Sequence, residues 1–76
     1  MESKIGKIYD YSLEKGYGII VTNDINYVFL KKDLETTNIK KGDIVKFSGE
    51  VINNNNRAFF VRSFVNEDNI SKEKKK

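Results

Sequence analysis

The 76-residue chain contains no cysteine, no histidine and no tryptophan. Without cysteine there is neither a disulfide staple nor a thiolate metal ligand, and without histidine the commonest general base and imidazole ligand are missing too. Catalysis is left with few tools, so the chain offers no reaction to assign and is expected not to be an enzyme. The carboxylate pairs Asp33 with Glu35 and Glu67 with Asp68 lack the spacing of a calcium loop and read as surface charge. No cofactor and no metal are expected. No apolar run approaches the roughly 20 residues of a membrane-spanning helix. Met1-Glu2-Ser3-Lys4 leads straight into a strand-like segment rather than a signal-peptide apolar region. The expectation is a soluble, cytoplasmic protein with no membrane partner.

What is present is one small domain's worth of chain, near the size at which a lone hydrophobic core is marginal. The formal net charge of +3 is unevenly placed. Residues 1–68 hold ten basic and ten acidic side chains, and the whole excess lies in Asn69 to Lys76, where Lys72, Lys74, Lys75 and Lys76 outweigh Glu73. Affinity for a polyanion therefore depends on how charges are sorted between faces, not on a basic total. The division expected is a domain over residues 1–65 and a mobile basic tail over 66–76, since one apolar residue, Ile70, cannot repay the ordering entropy of that tail.

Short strand-like segments separated by turn residues recur along the chain, and no segment has a 3.6-residue period, which predicts an all-β barrel or sandwich. The strands are expected near Lys4–Tyr11, Tyr17–Thr22, Asn26–Lys31, Asp43–Ile52 and Arg57–Val65. Asn23 to Asn26 and Asn53 to Asn56 supply turns, Asn being tolerant of left-handed backbone. Asp33-Leu34 is expected to open one helical turn, with Leu34 plugging a barrel end. Ile8, Ile20, Val28, Leu30, Val45, Phe47 and Val61 are the expected core, with Phe59 inside and Phe60 outside on the last strand.

The segment Lys15-Gly16-Tyr17-Gly18-Ile19-Ile20, followed by Val28-Phe29-Leu30, carries the functional signal. Strand side chains alternate between faces. With Ile20 inside, Tyr17 and Ile19 face water, and with Val28 and Leu30 inside, Phe29 and Lys31 face out beside them. Exposed rings flanked by lysines form a surface on which bases stack, at roughly 1–3 kcal/mol per base.

These segments, together with Gly6-Lys7-Ile8, Lys41-Gly42-Asp43-Ile44-Val45-Lys46-Phe47 and Ala58-Phe59-Phe60-Val61, resemble in order and spacing the bacterial cold-shock domain over about residues 4 to 65. The resemblance implies a five-stranded antiparallel barrel of the OB type that binds single-stranded RNA or DNA without marked sequence preference, as an RNA chaperone does. The family's two aromatic motifs would fall at Lys15–Ile20 and Val28–Lys31. Departures are plain: Asp10 stands where the family carries Trp, Ile19 where it carries Phe, Lys31 and Lys32 where it carries His and Phe, and the stretch from Lys32 to Gly42 is shortened. The nucleic-acid-binding set this leaves is Tyr11, Tyr17, Ile19 and Phe29 with Lys7, Lys15, Lys31 and Lys32, and Arg57 at the start of the last strand, where the family places a polar contact. A monomer is expected over a dimer. The same barrel used as a protein-interaction module, its nucleic-acid face weakened by Asp10, Ile19 and the shortened Lys32 to Gly42 stretch, is the alternative.

Overall fold

The computed structural model describes residues 2–36 and 38–64, so the expected tail over 66–76 lies outside the described residues. Five strands occupy Glu2–Ser12 (β1), Tyr17–Thr22 (β2), Ile25–Leu30 (β3), Ile44–Ile52 (β4) and Asn55–Ser63 (β5), with a single 3-10 turn at Lys31–Asp33. They close into a barrel in the order β1-β2-β3-β5-β4. The expected barrel is thus the observed one. All strand contacts are antiparallel except the closure between β3 and β5, which is parallel and pairs Val28 with Arg57.

The core consists of Ile8, Ile20, Tyr27, Phe29, Ile39, Val45, Phe47, Ala58 and Val61. Five of the seven expected core residues are there. Val28 and Leu30 are not: both are only half-buried and face outward, and their places are taken by Tyr27 and Phe29. The cause is one residue of loop length. Asn23 and Asp24 have φ of +51° and +64°, the pair of positive values that marks a two-residue type I′ hairpin turn. Thr22 therefore pairs with Ile25, Ile20 with Tyr27 and Gly18 with Phe29. A turn one residue longer, as read from the sequence, would set Val28 opposite Ile20, and a one-residue slip turns every side chain of a strand to the other face.

Two bulges invert the alternation elsewhere. In β1, Ile8 pairs with Ile20 but Asp10 pairs with Ile19, so Tyr9 is the added residue and everything after it swaps faces. Asp10 points outward with Ile19, and Tyr11 points inward with Gly18, half-buried and 5.3 Å from the Phe29 ring. In β5, Lys46 pairs with Arg62 and Ser48 with Phe59, so Ala58 and Val61 are both buried while Phe59, expected inside, is half-buried and Phe60 is exposed.

The expected helical turn opens at Lys31, two residues before Asp33, and Leu34 packs against the core as expected. Asp33 closes that turn: its Oδ2 accepts from the Leu30 backbone N–H at 2.9 Å and from the Arg57 guanidinium at 3.1 Å.

Candidate nucleic-acid interface

The outer surface of β2 and β3 is set by the same register. Tyr17 pairs with Leu30, Ile19 with Val28 and Val21 with Asn26, and residues directly opposite share a face. The result is a patch of one ring and four aliphatic side chains. Tyr17 is 43% exposed. On the β1 side Ser12 stands beside Tyr17 and Asp10 beside Ile19.

Phe29 is 0% exposed, so it offers no face to a base; the expectation that Tyr17 and Phe29 share an outer face is overturned. The space its ring fills is created by Gly18. A Cβ at Gly18 would lie 2.5 Å from Phe29 Cζ and 2.5 Å from the Asp10 carbonyl oxygen. Tyr11 likewise leaves the outer face and stacks against Phe29 from inside, its ring plane tilted 42°. Of the three rings expected on the platform, Tyr17 alone remains outside.

Two turns carry cations to the same end of the sheet as Tyr17. Gly16, at φ +80°, donates its N–H to the Ser12 carbonyl, closing the turn that presents Lys15, and the Lys31 N–H donates to the Gly16 carbonyl at 2.9 Å. Lys15 and Lys31 are thereby brought to the Tyr17 end of the sheet, both exposed, and Lys32 is exposed in the adjoining turn. Asp10, Ser12, Lys15, Tyr17 and Ile19 line one shallow hollow. The Asp10 carboxylate is the feature of this hollow that opposes a phosphate. Lys7 pairs with Val21, one row further along the sheet.

Arg57 is committed to the fold. Its Nε donates to the Val28 carbonyl at 3.3 Å, its Nη2 bridges Asp33 at 3.1 Å, and its guanidinium lies 4.8 Å over the Phe59 ring. With one ladder pair at the β3–β5 closure, these contacts staple the seam rather than reach outward.

A further exposed ring, which the sequence reading leaves out of the site, lies on the same sheet. The β1 bulge leaves Tyr9 64% exposed, and it lines a groove with Lys7, Val21, Asn26 and Lys41 at the far end of the same sheet. Asp24 lines it as well. Sequence alternation alone places Tyr9 outside but gives no hint of Lys41 beside it, since that contact is made by the turn before β4, where the Gly42 N–H donates to the Ile8 carbonyl.

No family model matches the chain. No curated protein matches it either. Among solved structures it is similar to one titled drosophila Unr CSD456, with a TM-score of 0.68 at 15% identity, over 84% of this chain and 27% of that one. The chain thus spans about a quarter of the length of that structure, and the likeness is one of fold: a cold-shock-type closed barrel. Among the described residues no helix is long and apolar enough to cross a membrane, and no group of three or more acidic side chains is placed to hold a metal ion.

Proposed function

We propose that the outer face of β1, β2 and β3 binds single-stranded nucleic acid, RNA or DNA, loosely and without a reaction, in the manner of a cytoplasmic, monomeric RNA chaperone and as a divergent relative of the bacterial cold-shock domain. The observation that carries the reading is Tyr17: a 43% exposed ring on the outer face of β2, at the end of the sheet where the turns carrying Lys15 and Lys31 meet. One base stacks on Tyr17, its neighbours lie against Ile19, Val28 and Leu30, and Lys7, Lys15, Lys31 and Lys32 follow the backbone. Tyr9 and Lys41 extend the path. One stacking ring and a carboxylate at Asp10 make for weak binding, and aliphatic contacts read no base edge, so sequence preference is low.

A titration with oligo-dT and oligo-U, followed by the tyrosine fluorescence that the absence of tryptophan leaves clear, tests the reading. Tyr17→Ala should weaken binding by about 1–3 kcal/mol, the value of one stacked base. Being a surface change, it should move stability by no more than about 0.5 kcal/mol. Binding unchanged in Tyr17→Ala would rule out this face.

The aliphatic character of Ile19, Val21, Val28 and Leu30 favours a second reading, the same face as a docking surface for a protein. An oligonucleotide titration that shows no binding at low salt would select it.

A further inference from the structure

The wall made by β1, β4 and β5 carries rings and cations of its own, on the part of the barrel where β4 adjoins neither β2 nor β3. Its centre is Phe60, the residue added by the β5 bulge. Phe60 has a φ of +55°, the left-handed region that a Cβ disfavours and that is an outlier for a bulky side chain. Bulges of this kind ordinarily place Gly there. The ring gains little by it, being 53% exposed.

Beside it Lys46 and Arg62 are direct cross-strand partners. Like charges set opposite one another on one face are destabilising, and among the described residues neither makes an ion pair. Phe60, Lys46, Arg62, Ser3 and Ser48 line one shallow hollow, with Glu35 its acidic lining residue. Ile5, paired with Lys46, adds exposed apolar surface.

A strained backbone, an exposed ring and a like-charge cross-strand pair that makes no ion pair among the described residues each cost folding stability, and here they coincide. Together they complement a ligand with repeated negative charge and flat apolar groups. A two-fold contact with a second copy would bring together two patches with the same excess of positive charge, Lys46 and Arg62 against one Glu35, which opposes self-association.

We propose that this wall is a second binding site for single-stranded nucleic acid, with Phe60 stacking a base and Lys46 and Arg62 contacting phosphates, so that one barrel holds two strands or two segments of one strand. The site goes beyond the Tyr17 face and stands or falls separately from it.

The test is calorimetric titration of the full chain with a six-nucleotide oligo-dT at low salt, with backbone amide shifts locating each site. Two oligonucleotides per chain are expected, one shifting residues around Tyr17 and one shifting Phe60, Arg62 and Lys46. The double variant Lys46→Glu, Arg62→Glu should remove the second site, and should flatten the slope of log K against log salt for a longer strand by about 1.4, two phosphates' worth. Phe60→Gly should weaken the second site about 5- to 150-fold while the melting temperature holds or rises, because Gly accepts the left-handed conformation. A stability role for the ring would lower it instead.

If the chain binds one oligonucleotide, lost in Tyr17→Ala and kept in the Lys46, Arg62 double variant, this proposal is overturned and the Tyr17 reading stands. One oligonucleotide lost in the double variant and kept in Tyr17→Ala would uphold the Phe60 wall as a binding site and overturn the Tyr17 reading. Binding of poly-glutamate at Phe60 with no shift on adding oligo-dT would show an acidic protein as the occupant and overturn the proposal as well.

Discussion

Gly18 decides which side chains the interior can hold. The Phe29 ring occupies the volume that any side chain at Gly18 would need, and the Asp10 carbonyl closes the other side, both 2.5 Å from a Cβ built there. Backbone cannot give way as a flexible side-chain end can. Gly18→Ala is therefore expected to cost about 1–3 kcal/mol, the range for overpacking a filled core, read as a lower urea midpoint; a change below about 0.5 kcal/mol would mean that the ring moves aside freely. On the other side of the same strand pair, Asp10 faces the hollow that holds Tyr17 and Lys15. Asp10→Trp adds a ring beside Ile19 and removes a charge that repels phosphate, so binding to a pyrimidine-rich single strand should tighten by on the order of 1–3 kcal/mol. Affinity that stays level or falls would take β1 out of the ligand path.

At the scale of the elements, the sites of irregularity matter more than the strands between them. The two-residue turn at Asn23-Asp24 fixes the parity of β3, the Tyr9 bulge fixes the second half of β1, and the Phe60 bulge fixes the first half of β5. The β3–β5 seam, with its single ladder pair at Val28 and Arg57, is the weakest strand contact in the ladders. Asp33 holds it indirectly, accepting from the Leu30 N–H and from Arg57, with its side chain 8% exposed and that of Arg57 23%. Asp33→Ala leaves a backbone donor and part of a guanidinium without their acceptor, and should destabilise the fold by about 1–3 kcal/mol as measured by denaturant unfolding. If stability were unchanged, the seam would be held by packing of Val28, Phe59 and Leu34 alone.

For the molecule as a whole, the ten-to-ten charge balance of residues 1–68 means that the domain draws polyanions only through local sorting. Three to five lysines engaged on a single strand give a slope of log K against log salt of roughly −2 to −3.5. Deleting Asn69 to Lys76 removes the whole excess of positive charge. The slope should then become shallower while the order of preference among oligonucleotides stays fixed, since cations contact phosphates and carry no base information. Loss of all binding on that deletion, with Tyr17→Ala still bound, would make the barrel a carrier for its tail.

The sequence by itself determined the barrel: strand-like segments at short intervals, turn residues between them and a core led by Ile8, Ile20, Val45, Phe47 and Val61 follow from alternation and burial, which depend only on residue type and spacing. It also determined Tyr17 as an outer ring, because the parity of β2 is fixed by Gly18 and Ile20 within one short strand. Tertiary structure decided the parity of β3 and of the strand halves beyond each bulge. In Tyr27-Val28-Phe29-Leu30 both faces are apolar, so composition cannot say which pair goes inside, and the answer came from the void over Gly18 and a turn one residue shorter than its Asn and Asp content suggested. A period of two carries no memory across an inserted residue, which is why Phe29 and Tyr11 are interior rings while Val28, Leu30 and Asp10 face outward.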